Sequence, residues 1–229
     1  MKNWYQLTES ETLDKLGVTS EGLSSQQADS LLEKHGKNVL EESKKKSVFQ
    51  VFLSQFADLM VIILIIAAIV SMFSGSVEST IVIFAVITLN AILGTVQHVK
   101  AEKSLESLKS LSSPSAKVIR DGRKIEIDSE NIVPGDIVVL EAGDLVVADG
   151  RIINNYSLQV NESSLTGEST NIDKSVETIE KEVPLADRTD MVFSGSLVTY
   201  GRAIVVVTET GMNTEIGKIA TLMNQANGK

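Results

Sequence analysis

Apolar and polar positions follow different periods along the chain and divide it into four zones. Residues 1–46 are polar with helical spacing, 47–111 contain long apolar runs, 112–213 hold short β-type runs, and 214–229 return to helical spacing. Apolar residues at three- and four-residue spacing indicate helix, whereas short β-branched runs between Gly and Asp turns indicate strands. The pattern therefore predicts an α+β fold with four domains at these boundaries.

The N-terminal zone contains two helix-start signals. Thr8 precedes two acidic residues, and Ser24 or Ser25 precedes apolar residues at helical spacing. Such hydroxyls cap a helix by accepting a backbone N–H of its first turn. The second helix is expected to stop at residues 35–38, which contain a glycine. We predict a small helical segment that packs on another part of the protein.

Two apolar runs in the second zone are typical of membrane-spanning helices. Leu59–Phe73 carries no charge, and with the softer flank from Val48 it predicts a helix of about 25 residues interrupted only by Asp58. Residues 79–99 also carry no formal charge. About 20 residues cross a bilayer. The sequence therefore predicts a transmembrane hairpin with a short turn at residues 74–78.

Basic residues flank the hairpin on one side. Lysines occupy positions 44–46 before the first run, and Lys100 and Lys103 follow the second. The positive-inside rule places both outer ends in the cytoplasm, with Asp58 at the cytosolic edge and Glu78 at the outer edge. A buried helical hairpin of a soluble protein is the alternative, which the run lengths and basic flanks disfavour.

Helical spacing continues past the second apolar run. Leu105, Leu108 and Leu111 share this spacing, and residues 112–115 contain a proline that ends it. We therefore expect a cytoplasmic stalk that continues the membrane helix.

The third zone predicts a compact, mainly β domain, either a barrel or a sandwich. Asp121-Gly122 between two alternating runs is a strong hairpin signal. Thr214 then offers the N-cap of a final helix over residues 214–225. The predicted strands are 117–120, 124–127, 137–140, 151–153, 158–160, 191–193 and 203–207.

Composition narrows the class of function. The formal net charge of -9 disfavours nucleic acid as a partner, because phosphate contacts require an excess of Lys and Arg. The absence of cysteine excludes disulfides, zinc–thiolate sites and cysteine nucleophiles. Residues 1–17 lack the basic-then-apolar order of a signal peptide. Asp136, Asp144 and Asp149 lie at predicted turns, their spacing matches no EF-hand, and we predict no metal ligand.

Residues 163–170 form the one polar segment with a candidate chemistry. Hydroxyl residues surround Gly167 and Glu168 there. Glycine allows a backbone to approach another surface closely, and a carboxylate held on a tight turn can orient a water and accept its proton. An ordinary solvated loop is the favoured interpretation when this composition is taken alone.

The segment is one of a series of motifs that resembles the actuator region of P-type ATPases, in that family's order. The N-terminal zone is similar to the corresponding segment of type II cation pumps. Residues 90–102 resemble calcium pumps of the sarco/endoplasmic reticulum kind and their bacterial relatives. Val147 departs from the family, which commonly has proline there, and so leaves φ of that turn unlocked. The motifs are VPGDIV at 133–138, GD at 143–144, ADG at 148–150, LTGES at 165–169, VFSGS at 192–196 and TEIGKI at 214–219.

The resemblance implies an ATP-driven pump that phosphorylates its own aspartate and then hydrolyses the aspartyl phosphate. It implies a distorted, jelly-roll-like actuator domain in which Glu168 orients and activates the attacking water. Thr166 and Gly167 would shape the approach of the loop, and Ser169 would support it. ATP and Mg²⁺ are the implied cofactors of the full-length protein.

The implied partners are the lipid bilayer, the phosphorylation, nucleotide-binding and remaining membrane domains, and a cation, with Ca²⁺ favoured. The implied protein is multi-pass, with its N-terminus and actuator domain cytoplasmic, and lies in the cell membrane if it is bacterial. The family's phosphorylation sequence, Asp-Lys-Thr-Gly-Thr, does not occur in the chain. We therefore expect these residues alone neither to hydrolyse ATP nor to pump. The alternatives are a pump for Mn, Na, K or H ions and a stand-alone, membrane-anchored regulatory module.

Overall fold

The computed structural model describes residues 2–40, 46–111 and 114–227, and its contacts separate the chain into two compact units. Met1–Glu41 with Ser113–Lys229 form one, here named the β unit, and Glu42–Ser112 form the other, the helical unit. The α+β class is confirmed. The predictions that fall on lysines 44 and 45 and on residues 112–113 lie outside the described residues. The four domain boundaries stay predictions.

The N-terminal part of the β unit forms the two expected helices. Helix α1 spans Glu9–Leu16 and helix α2 spans Ser25–His35. Thr8 and Ser24 are their N-caps, and each forms a capping box that satisfies backbone N–H groups at the helix start. A short 3-10 helix at Trp4–Gln6 precedes them.

These helices cover one face of the sheet, as the N-terminal zone predicted. Their apolar side chains enter a core cluster with residues from the strands and from the turn before β3. The buried members are Val18, Leu23, Ala28, Val133, Ile137, Ile153 and Val206.

The sheet of the β unit has seven strands in the order β2-β1-β3-β7-β4-β5, with β6 paired to β4, and every pairing is antiparallel. The order begins at β2 and ends at β5, so the sheet is open and the predicted barrel is not a closed one. The strands are β1 Ser115–Arg120, β2 Arg123–Asp128, β3 Ile137–Glu141, β4 Asp149–Asn161, β5 Asn171–Asp173, β6 Met191–Val192 and β7 Leu197–Glu209.

The β1–β2 hairpin has the turn that its sequence predicted. Arg120 pairs with Arg123, which leaves a two-residue turn. Asp121 and Gly122 both have positive φ, at 51° and 68°. A two-residue hairpin with this geometry follows the twist of its strands.

Strand β4 differs from the sequence prediction of two short strands around residues 154–157. It is one strand of 13 residues with irregularities in its pairing to β7. Ser157 adopts φ 54°, and the Asn155 side chain accepts a hydrogen bond from Leu158 N at 2.9 Å. The bulge absorbs the polar residues that resembled a turn, so the ladder continues on both sides.

Among the described residues, the helical unit contains one helix long and apolar enough to cross a membrane, α5 at Val77–Leu111, whose apolar span is Val77–Ser107. The other predicted span is a broken pair. Helix α3 at Val48–Ser54 continues as a 3-10 turn at Gln55–Ala57, and helix α4 at Leu59–Phe73 follows after a bend of 68°. The continuous helix of about 25 residues predicted there is therefore wrong, and a second span requires the bent pair.

Asp58 causes this break. Its backbone is extended, with φ -68° and ψ 136°, and its side chain accepts a hydrogen bond from Met60 N at 2.9 Å. An aspartate in this geometry caps a new helix rather than continuing the old one. Helix α4 alone has 15 residues, about 22 Å at 1.5 Å per residue, which is shorter than a bilayer core.

Small residues allow the helices of this unit to approach. A Cβ added at Gly94 of α5 would lie 2.5 Å from the side-chain oxygen of Gln55, so glycine leaves room for the Gln55 side chain in its present position. Thr95 is buried, and its hydroxyl donates to Ala91 O within the same helix at 2.7 Å. Among the side chains that the structure describes, the buried residues of the three helices are Val51, Val61, Ala68, Ile87, Ala91 and Thr95.

Candidate functional site

The four residues predicted as the site, Thr166 to Ser169 and here called the tetrapeptide, lie between β4 and β5. A single helical turn, α6 at Ser163–Thr166, follows β4 and ends at Gly167. Gly167 has φ 76°, a left-handed conformation that glycine adopts without strain. A Cβ there would meet no atom within 4 Å, so this backbone angle, and not crowding within the chain, favours glycine.

Hydrogen bonds fix the backbone of this loop. The carbonyl of Glu162 accepts from the Thr166 amide at 3.0 Å and from the Thr166 hydroxyl at 3.2 Å. The same hydroxyl oxygen accepts from Glu168 N at 3.3 Å. Thr166 therefore joins the start of the turn to the backbone of Glu168, a local use of a hydroxyl that its residue type favours.

The base of the loop is closed by Asn161. Its side-chain amide donates to the carbonyl of Ser169 at 3.1 Å, and its backbone pairs with Asn171 across β4 and β5. A further contact ties the loop to a neighbouring turn, because the Ser164 hydroxyl donates to Gly195 O at 3.0 Å. The loop is thus held at its base and on one side.

The side chain of Glu168 takes no part in these contacts. The residue is exposed, and within the described part of the chain its carboxylate has neither a hydrogen bond nor an ion pair. Thr166 is half-buried, while Gly167 and Ser169 are exposed. The arrangement combines a fixed backbone with a carboxylate that is accessible to a second surface.

Two charged residues beneath the loop were missed from the sequence. Lys174 Nζ lies 2.5 Å from Glu162 Oε1, and the two side chains are 0% and 1% exposed. Burial raises the pKa of Glu162 and lowers the pKa of Lys174, while their mutual attraction acts in the opposite direction. The only signals of this pair in the sequence were the lone charge of Lys174 after a strand and the acid Glu162 beside the tetrapeptide.

A second buried ion pair lies in the same domain. Arg151 Nε is 3.1 Å from Asp190 Oδ2, and neither side chain is exposed. The guanidinium also donates to the carbonyls of Ile152 at 2.8 Å and Val176 at 2.9 Å. Burial raises the pKa of Asp190 to about 6 against the attraction of Arg151, and Asp190 also attracts Lys174.

Two family models match the part of the chain that contains the sheet and its exposed loop and the part that contains α1 and α2. The family model of the P-type ATPase actuator domain matches residues 110–224. The model of the cation transporter/ATPase N-terminus matches residues 4–71. The chain belongs to the P-type ATPases. The β sheet with its exposed loop is the actuator domain of that family, and α1 and α2 lie in its N-terminal region.

Relatives of known name support the same family. A calcium-transporting ATPase of Listeria monocytogenes is 48% identical over 98% of the chain and 26% of that relative. A calcium-transporting ATPase of Bacillus cereus is 44% identical over 99% of the chain and 26% of its own length. A cation-transporting ATPase of Synechocystis is 40% identical over 92% of the chain and 23% of its length. The chain spans about a quarter of the length of these relatives.

Two of the turn aspartates of the actuator domain hold its backbone, as their positions predicted. Asp136 accepts from Val133 N at 2.9 Å and forms an ion pair with Arg120 at 2.7 Å. Asp144 accepts from Glu141 N at 2.9 Å and lies 3.3 Å from a lysine ammonium of β1. Each accepts from a backbone N–H three residues earlier in sequence and so closes its turn locally, although not through the bond to the residue two positions ahead that is typical of an Asx turn.

Asp149 joins distant parts of the actuator domain. Its carboxylate accepts from Ser194 N and from Glu215 N, both at 2.8 Å, and the latter begins helix α7 at Glu215–Asn227. Burial raises the pKa of Asp149 to about 6, and the two backbone N–H groups oppose that rise. Nearby Glu215 raises this pKa further, whereas Lys218 lowers it.

Proposed function

We propose that the chain is the N-terminal part of an ATP-driven calcium pump, and that Glu168 promotes hydrolysis of the pump's aspartyl phosphate. The observation that carries the role of Glu168 is its exposed carboxylate on a backbone held by Thr166 and Asn161. The chain supplies one half of this active site. The phosphorylated aspartate belongs to a domain outside these residues.

The chemistry needs a water placed in line with the bond that breaks. The water oxygen bonds to phosphorus, the bond from phosphorus to the aspartyl oxygen breaks, and Glu168 accepts the proton that the water loses. Positioning and electrostatics dominate phosphoryl transfer, so a carboxylate at hydrogen-bond distance from this water is sufficient as its base. A carboxylate also repels the phosphate, so the loop should approach only after phosphorylation.

The other tetrapeptide residues act on the loop. The Thr166 hydroxyl holds the Glu168 amide, and Ser169 anchors the other side through its carbonyl. Gly167 has no side chain and is exposed, so it allows close approach of the phosphorylated surface. These three residues therefore position Glu168 without accepting the proton.

ATP and Mg²⁺ are proposed as cofactors of the complete pump. ATP supplies the phosphoryl group, and Mg²⁺ neutralises its charge. Among the residues that the structure describes, no group of three or more His, Asp or Glu could hold a metal ion. We assign neither cofactor to a residue of this chain.

Calcium is proposed as the cargo because several relatives at 42–48% identity are named calcium-transporting ATPases. A pump for another cation is the second candidate, favoured by relatives at 40% identity that are named only cation-transporting. The apolar helix α5 supports membrane insertion, and the basic flanks support a cytoplasmic actuator domain. Calcium uptake by vesicles that hold the complete pump, measured against Mn, Na and K ions, separates the candidates.

Glu168→Gln in the complete pump tests the proposed role. The amide cannot accept the proton, so we expect phosphoenzyme to form from ATP and its breakdown to slow by about 100-fold. Glu177→Gln is the matched control, because this glutamate is also exposed in the actuator domain but lies outside the loop. Breakdown at the normal rate in Glu168→Gln would remove the role proposed for this residue.

A further inference from the structure

The buried Lys174–Glu162 pair connects the two ends of the loop that carries Glu168. Glu162 directly precedes α6, and Lys174 directly follows β5. The ammonium and carboxylate are in contact at 2.5 Å and closed off from solvent. The pair therefore links the entry and the exit of the loop from beneath.

This link is a costly way to fill a core. Removing two charges from water is unfavourable, and apolar residues of similar volume often give equal or greater stability than a buried ion pair. Apart from Glu162, the Lys174 ammonium has little favourable support. It lies 5.5 Å from the ring of Phe193, and Asp190 attracts it. Stability alone gives no reason for two charges at the base of this loop.

A continuous path leads from the pair to the proposed base. Lys174 contacts the carboxylate of Glu162, and the carbonyl of Glu162 accepts from the Thr166 hydroxyl at 3.2 Å. That hydroxyl accepts from Glu168 N at 3.3 Å. A displacement of Glu162 is thus transmitted to the backbone of Glu168 through one residue.

We propose that Lys174 is a positioning residue for Glu168, and that it acts by holding Glu162 in place through their buried ion pair. This inference rests on the proposed function of Glu168. It extends the site from the exposed tetrapeptide to two charged residues that are closed off from solvent. In this proposal neither Lys174 nor Glu162 touches the reacting atoms, because both side chains are closed off from solvent.

Lys174→Met in the complete pump is the first test. Methionine keeps most of the side-chain volume but leaves the Glu162 carboxylate without its cation, so the turn shifts. We expect phosphoenzyme breakdown to slow by roughly 10- to 100-fold, the scale of an ångström-sized misplacement of a catalytic group. The rate of phosphorylation by ATP should be unchanged, because the proposed role concerns only the hydrolysis step.

A double variant separates positioning from a general structural effect. If Lys174 acts through Glu168, then Lys174→Met should cause less than about 2-fold additional slowing in a Glu168→Gln background, since coupled residues are not additive. Multiplication of the two single effects overturns the inference. Slow breakdown in Glu168→Gln with a normal rate in Lys174→Met also overturns it, while the proposed function stands.

Amide hydrogen exchange in residues 162–170 tests the positioning without reference to catalysis. Lys174→Met should accelerate exchange in this segment. If this variant fails to fold, the milder Glu162→Gln takes its place and should accelerate exchange to a smaller extent. Ile132→Ala is the matched control, since it removes fully buried core volume at a residue outside the segment 162–174. If residues 162–170 exchange equally fast in all the variants and in the unmodified pump, the inference is wrong. This holds whether or not Glu168→Gln slows phosphoenzyme breakdown.

Discussion

The two units of the molecule treat the same residue types in opposite ways. In the β unit, Val118, Ile132 and Ile152 are fully buried. In the helical unit, Leu59 is 72% exposed and Phe73 is 89% exposed. Exposure of so much apolar surface is unfavourable in water but matches the interior of a bilayer. The difference teaches that one chain is built for two solvents.

Polar groups show the same contrast. The actuator domain buries charges and pairs several of them with an opposite charge, as Arg151 with Asp190 and Lys174 with Glu162. Buried Asp149 accepts from two backbone N–H groups instead. In the helical unit, the buried polar residue Thr95 is satisfied by a carbonyl of its own helix. A membrane helix must satisfy its polar groups internally, whereas a water-soluble core can bring charges together from distant parts of the chain.

The largest effect expected from this contrast is the loss of stability when a core side chain is truncated. Ile132→Ala in the β unit should lower the free energy of unfolding by about 2–5 kcal/mol, because it removes buried apolar contacts and leaves a cavity. Ile66→Ala in α4 should cost less than about 1 kcal/mol in detergent, because Ile66 is 56% exposed. Thermal unfolding of the 229-residue chain in detergent measures both. Equal losses would mean that the exposed helical surface is covered in solution.

A smaller effect is expected from the titration of Asp149. Its pKa is about 6 in the fold, above the ordinary aspartate value of 3.8, so the folded state binds the proton more tightly. The resulting stability is fully present below the unfolded pKa and is lost as pH rises through about 6. At about 1.4 kcal/mol per pKa unit, the group contributes on the order of 1–3 kcal/mol over this window.

Asp149→Asn should therefore flatten part of the fall in stability between pH 4 and pH 6, as measured by thermal unfolding of the chain at each pH. Asp190, whose pKa is also raised to about 6, remains in this variant and keeps its own share of the slope. Glu177→Asn, at an exposed residue of the same domain, is the control. An unaltered slope in Asp149→Asn would show that its carboxyl titrates normally.

The smallest effect is expected at the break between α3 and α4. Asp58→Ala removes the cap of α4 and should lower stability by about 1 kcal/mol, the usual cost of losing such a cap. Asp58→Asn keeps an oxygen that can accept from Met60 N and should stay near the unmodified stability. Thermal unfolding in detergent gives the midpoints of the two variants. Identical midpoints would show that the Asp58 side chain does not cap α4.

Local structure was predictable because its causes are close in sequence. The capping boxes at Thr8 and Ser24 and the turn at Asp121 depend on residues within a few positions of one another. The candidate loop was also accessible, because Thr166 and Glu168 interact over two residues. Asp58 was misjudged, since its apolar neighbours favoured a continuous helix while its own side chain favoured a cap.

Long-range features could not be predicted in this way. The continuity of β4 through its polar residues depends on β7, which begins 36 positions after β4 ends and supplies the ladder. The Arg151–Asp190 pair joins residues 39 positions apart, and a lone charge in a sequence does not reveal its partner. Pairing across such distances is decided by the path of the sheet.

The sequence by itself determined the family, the α+β class, the long apolar helix and the loop that carries Glu168. These features depend on composition, period and short motifs, which are properties of neighbouring residues. Only the tertiary structure decided that the sheet is open and that Glu162 and Lys174 meet beneath the loop. The physical reason is that burial and ion pairing depend on which distant segments are brought together by folding.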